Sequence, residues 1–219
     1  MTTGNPWSAG PDSISFRPLR YSDLRLMHRW LNAPHVAHAW YGEDTSWRAI
    51  EEYYLPRVEA WETVEPYLIL RDGMPVGYIQ AYPVSHDEVY AGLVRVEDSA
   101  GVDLFIGEEK YVYRGLGSKV LRRFLAEVVF RDEGMQVCVI GPEPKNGAAI
   151  RAYEKVGFRF FKTIQVPGEP EPEYLMLWTT CSWRGRTASS REDLPRDHSW
   201  KATSRALPKT VSRPRGSTR

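Results

Sequence analysis

Residues 111–125 read YVYRGLGSKVLRRFL. Two glycines, Gly115 and Gly117, stand one residue apart, with Arg114 beside them. Behind them Leu116, Val120, Leu121, Phe124, Leu125, Val128 and Val129 recur at the spacing of one helix face, which predicts a helix over 115–130. A helix start exposes unpaired backbone N–H groups and the positive end of the dipole. Glycines there let the backbone approach an anion closely. The stretch is therefore a candidate phosphate cradle, with Arg114 and Ser118 as added charge and hydroxyl. It lacks the Gly-Lys-Ser/Thr of a P-loop and the third glycine of a dinucleotide fingerprint. A plain turn is the competing reading, and two glycines alone do not displace it.

The flanking sequence alternates strands and helices. ISFRPL (14–19) reads as a strand, and SDLRLMHRWLN as a helix with Ser22 as its N-cap. A helix is predicted from Ser46, with Pro56 near its end. PYLILRDGMPVGYIQAYPV is the clearest signal: two strand-like runs flank Asp-Gly, a strong hairpin turn. Residues 84–100 read as irregular and polar. GVDLFIG (101–107) and MQVCVIG are short apolar strands. KNGAAIRAYEKVGF is a helix capped by Asn146 and stopped by Gly157, and FRFFKTIQV and EYLMLWTT close the pattern with two strands. The alternation predicts an α/β fold around one mixed sheet.

Composition narrows the function classes. The chain has 219 residues, 42% of them hydrophobic, which suits one domain plus an appendage. No run approaches the length of a membrane span and the first residues carry no apolar leader, so a cytoplasmic protein is expected. Cys138 and Cys181 are the only cysteines, too few for a disulfide framework or metal cluster. His35 and His38 have no third ligand nearby, so no metal is expected. Residues 184–219 hold 10 Lys+Arg against 3 Asp+Glu, which leaves the body with 19 against 25. The expected division is a flexible segment 1–13, a domain 14–183, and a basic, disordered tail 184–219. The acidic body argues against a nucleic-acid surface and suits a cationic substrate.

The order of these motifs, an apolar strand ending in FIG, then RGLG, then N…AIRAYEKVGF, resembles the GCN5-related N-acetyltransferase superfamily. The family's pyrophosphate motif is Gln/Arg-x-x-Gly-x-Gly/Ala, and here it reads from Val112 to Gly117, with Val112 departing from Gln/Arg. WLNAPHVAHAWYGE, YLPRV, PYLILRDGMPVGYIQAY, GVDLFIG and AIRAYEKVGF look most like the aminoglycoside 6'-N-acetyltransferases. A related branch that acylates hydroxylysine siderophores is expected to carry His where this chain has Asp103. A non-catalytic acyl-CoA-binding module is a further alternative.

The resemblance implies a mostly antiparallel central sheet, splayed at the cofactor strand and flanked by helices. It implies acetyl-CoA as cosubstrate, an aminoglycoside as the small-molecule partner, no membrane, and a monomer or homodimer. In the family the splayed strand offers backbone groups to the thioester, here at Phe105 and Ile106. Arg114, Gly115, Gly117, Ser118 and Asn146 complete the cofactor set. Asp103 falls at the reacting amine and Tyr153 where a phenol protonates the leaving thiolate. Trp40, Tyr41, Gln80, Asp87, Glu88 and Asp103 are the candidate substrate contacts.

Overall fold

Asp72 and Gly73 turn the chain through φ +51° and +79°. Two successive left-handed residues make the tight hairpin whose twist matches its flanking strands. The turn joins strand β2 (Glu65–Arg71) to β3 (Met74–Pro83), with Arg71 opposite Met74. The computed structural model describes residues 13–37, 44–131 and 135–180. The predicted flexible segment up to residue 12 and the basic tail 184–219 lie outside the described residues, as do Trp40 and Tyr41.

Around this hairpin the chain adds β1 (Ile14–Pro18), α1 (Leu24–Leu31), α2 (Pro34–Ala37) and α3 (Trp47–Val58) before it. After it come α4 (Glu88–Val94), β4 (Ser99–Ile106), α5 (Leu116–Phe124), β5 (Val137–Ile140), α6 (Gly147–Val156), β6 (Arg159–Ile164) and β7 (Glu173–Thr179). The seven strands form one sheet in the order β1-β2-β3-β4-β5-β7-β6. All neighbours are antiparallel except β4 and β5. Helices cover both faces. Val120, Leu121 and Phe124 of α5 pack with Ile69, Ile79 and Val102, while Leu24, Met27 and Trp30 of α1 pack with Leu68, Tyr78 and Phe105. Burial on both faces explains why β3 reads as a nearly unbroken apolar run.

The parallel pair positions the site. β4 meets β5 only where Ser99, Ala100 and Gly101 face Val137, Cys138 and Val139. β4 continues to Ile106, paired with β3 throughout, whereas β5 ends at Ile140. Beyond Gly101 the ladder between the two strands ends, while β4 runs on to Ile106.

Two local readings are corrected. Residues 84–100 are not irregular: they contain α4, whose N-cap Asp87 accepts a hydrogen bond from the Tyr90 N–H. Its buried contribution is concentrated at Val94, too little apolar periodicity to signal a helix. Ser22 does not cap α1. Asp23 stands at that position without a side-chain bond to α1; it ends a 3-10 turn (Tyr21–Asp23), where its carboxylate accepts from the Arg20 N–H and pairs with Arg17 at 2.8 Å. The helix predicted over 115–130 runs as α5 and then a π-helical turn, Leu125–Val129.

Candidate active site

Asp103 is the second residue beyond the point where β4 leaves β5. The sheet register sets it opposite Gln80 of β3, whose Nε2 donates to Asp103 Oδ2 at 2.8 Å. The Tyr78 hydroxyl in turn donates to Gln80 Oε1 at 2.7 Å. Gln80 is buried and its amide is engaged at both ends. It therefore orients the Asp103 carboxylate.

Tyr153 lies on α6, packed against the core. Burial, and secondarily the charge of Asp103, push its phenol above the ordinary value. The Asp103 charge is felt also by Tyr82, Tyr90, Cys138 and Glu173. The phenol on α6 thus lies within electrostatic reach of the carboxylate on β4. Tyr153 is held in place by the core, packing near Phe158 at a ring separation of 6.1 Å. Asn146 caps α6, its Oδ1 accepting from the Ala149 N–H at 3.1 Å, and Gly157 ends that helix at φ +120°.

The glycine turn is open. Gly115 is the N-cap of α5 at φ +78°, and Tyr113, 89% exposed, also lies in the left-handed region at +58°. A Cβ built on Gly115 or Gly117 meets no heavy atom within 4 Å. Neither glycine is required by neighbouring protein atoms. At Gly115 the backbone conformation itself favours glycine, and at both positions the space before the helix start is clear. Arg114 lines an adjoining cavity of about 350 Å³ with Arg71, Lys119 and Tyr111. The Ser118 hydroxyl donates to the Ala152 carbonyl at 3.0 Å and so ties α5 to α6.

Phe105 and Ile106 are the last two residues of β4. The Phe105 ring is buried and stacked on Tyr78 at 5.5 Å. The end of β4 is clamped by residues that sequence reasoning did not single out. His35 Nε2 lies 3.2 Å and 3.1 Å from the carbonyl oxygens of Ile106 and Gly107. The Trp30 indole donates to Glu108 at 2.9 Å and sits where any Gly107 side chain would be, 2.2 Å from its Cβ. The only sequence cue to this clamp is the glycine that ends FIG.

Asp87 and Glu88 are exposed at the start of α4, Asp87 spending one oxygen on the helix cap. Trp47 packs against His28, while Trp61 is exposed. Among the described residues there is no group of three side chains suited to hold a metal. Among them, too, no helix is long and apolar enough to cross a membrane.

A β4–β5 ladder that ends early, a clear helix start at Gly115 and an oriented carboxylate at Asp103 make up the candidate site. Residues 20–166 match the model of the acetyltransferase (GNAT) domain. The chain belongs to this family and is an acetyltransferase. It is 33% identical over 168 residues to the aminoglycoside N(6')-acetyltransferase type 1 of Klebsiella pneumoniae, covering 73% of this chain and 80% of that one. The lysine N-acyltransferase MbtK of Mycolicibacterium paratuberculosis is 27% identical over 155 residues, 67% of this chain and 66% of that one. Among solved structures, AAC(6')-Ib in complex with paromomycin and acetyl-CoA superposes with a TM-score of 0.73 at 32% identity, covering 82% of this chain and all of that one.

Proposed function

We propose that the protein transfers the acetyl group of acetyl-CoA to the 6'-amino group of aminoglycosides, and so confers resistance to them in the cytoplasm. The observation that carries this reading is the Asp103 carboxylate held by Gln80 on the part of β4 that runs past its ladder with β5, together with an unobstructed glycine turn at the start of α5. The relatives named for that reaction support it. Acetyl-CoA supplies the thioester carbonyl that the amine attacks.

The chain's residues divide the work. The N–H groups at the start of α5, reached past Gly115 and Gly117, bind the diphosphate, with Arg114 adding charge. Backbone groups at Phe105 and Ile106, on the side of β4 that β5 has left, hold the acyl arm and its carbonyl. One such donor is worth about 3 kcal/mol in kcat. Asn146 contributes at the head of α6 besides capping it. Ser118 takes part through its backbone alone.

An alkylammonium titrates near ~10 and must lose its proton before attack. Asp103, oriented by Gln80, binds the ammonium and receives that proton. Tyr153 stays protonated across the neutral range, because burial raises its pKa, and so can donate to the departing thiolate. Trp40, Tyr41, Asp87 and Glu88 are proposed to hold the rest of the polycationic sugar by stacking and charge pairing. We assign catalysis to residues 14–183.

The test is thiol release from acetyl-CoA with kanamycin, in the parent and in Asp103→Asn. Turnover in the parent, lost in the variant, supports the reading. Turnover of lysine-type amines alone refutes it in favour of the siderophore-type acyltransferases, and cofactor binding without turnover of any amine refutes it in favour of a binding module.

A further inference from the structure

Glu173, the first residue of β7, has no part in the mechanism above; its carboxylate lies over Gly141, two residues beyond Val139 of β5, just as Asp103 lies two residues beyond Gly101, the parallel partner of Val139 on β4. Its Oε2 accepts from the Tyr90 hydroxyl of α4 at 2.9 Å. It occupies the space over Gly141, the residue after β5, where a Cβ would fall 2.3 Å from that oxygen. The backbone holds this junction, since the Tyr174 N–H donates to the Pro142 carbonyl at 2.8 Å. Gly141 is thus a glycine that makes room for a carboxyl just past the end of β5. Tyr90 from α4, Tyr82 from β3 and Asp103 from β4 share its electrostatic surroundings.

We propose that Glu173 is a second anionic anchor for the acceptor, becoming charged as a substrate ammonium arrives beside Asp103. This rests on the reading of the acceptor as a polyamine. Two carboxylates within electrostatic reach of each other repel, and burial penalises each charge. Without a cation between them, one carboxyl keeps its proton. Glu173 is that one: burial first, and then the Asp103 charge, raise its pKa to about 7, although the Tyr90 hydrogen bond works the other way. An ammonium bound between the pair removes the repulsion and expels the proton. Acceptor binding is then coupled to proton release from Glu173, and it tightens as pH rises through neutrality.

The experiment measures kanamycin binding by calorimetry at pH 7 in two buffers of different ionisation enthalpy, together with kcat and KM. Kanamycin turnover by the parent establishes the parent reading separately, and its absence overturns that reading and this one with it. Given turnover, Glu173→Gln is expected to raise the KM for kanamycin roughly tenfold, the size of one lost charged hydrogen bond, with a smaller change in kcat. Proton release should fall by about half a proton per acceptor, the fraction a group titrating at the working pH can give up. Tyr90→Phe removes the bond that favours the charged form. Its KM should rise at pH 7 and recover at pH 8.5, a pattern that loss of packing would not produce. Gly141→Ala, which drives a methyl against the carboxylate, should raise KM as Glu173→Gln does. A folded Glu173→Gln with parental KM and parental proton release overturns the proposal, as does a Tyr90→Phe defect that is independent of pH.

Discussion

The glycine turn yields a prediction in which stability and activity separate. Gly115 and Gly117 both have clear space where a Cβ would go, so alanine at either meets no clash. They differ in backbone. Gly115 sits at φ +78°, where an L-residue costs roughly 1–2 kcal/mol. Gly117 is inside α5 at ordinary helical geometry, where Gly→Ala gains about 0.5–1 kcal/mol. Two identical substitutions two residues apart should therefore move stability in opposite directions. With about 2–4 °C of Tm per kcal/mol for a domain of this size, Gly115→Ala should melt lower by a few degrees and Gly117→Ala slightly higher. In Gly115→Ala the methyl stands before the helix-start N–H groups and removes a charge-assisted hydrogen bond worth about 1.5–3 kcal/mol, or a roughly 10–100-fold fall in kcat/KM for acetyl-CoA. The family motif admits Ala at the second position, so Gly117→Ala should keep that value within about threefold of the parent. Thermal melts and initial rates at varied acetyl-CoA measure both. A Gly115→Ala protein that melts lower yet keeps its kcat/KM would refute the diphosphate cradle. Melting shifts of the same sign would refute the assigned start of α5.

Further outcomes follow from the same geometry. Asp103→Asn should fold and lose turnover by about 10²–10⁴-fold, as should Tyr153→Phe, the range for a positioned acid or base; circular dichroism and steady-state rates check both. Glu173 titrates higher folded than unfolded, so the folded state holds its proton more tightly between about pH 4.5 and about 7. Its contribution is therefore fully present below that window and is lost as pH rises through it, on the order of 2–3 kcal/mol. Glu173→Gln should accordingly flatten the stability–pH curve from pH 5 to 8 and melt above the parent at pH 8. Gly107→Ala, with its methyl forced against the Trp30 indole, should destabilise by about 1–3 kcal/mol or more in denaturant titrations. Removal of residues 184–219 should leave kcat/KM with kanamycin within about twofold.

Local chemistry was enough to read most elements. Asp72-Gly73 declared the hairpin, Asn146 and Gly157 bounded α6, and the apolar spacing from Leu116 to Phe124 marked α5. These signals rest on φ preferences, capping and periodicity, each contained in a short window. Helix α4 escaped because its cap and its buried Val94 are too sparse to form a pattern. The motifs around Gly115 and Tyr153 were legible for the same reason as the elements: each is a contiguous segment whose residue types suit one job.

What the sequence determined by itself was the strand–turn–helix grammar and the acidic character of the body, while the proposal of Asp103 and Tyr153 as the central groups came from the resemblance of their segments to a family. Tertiary structure alone decided which side chains serve those groups. Gln80 became an orienting partner because the register sets it opposite Asp103, and the Ser118 hydroxyl found a carbonyl on α6. Glu173 lies over the end of β5 only because Gly141, far from it in sequence, left space there. Cross-strand register, the point at which β4 parts from β5 and the room beside a glycine all arise from contacts between distant segments, and no local pattern of residues encodes them.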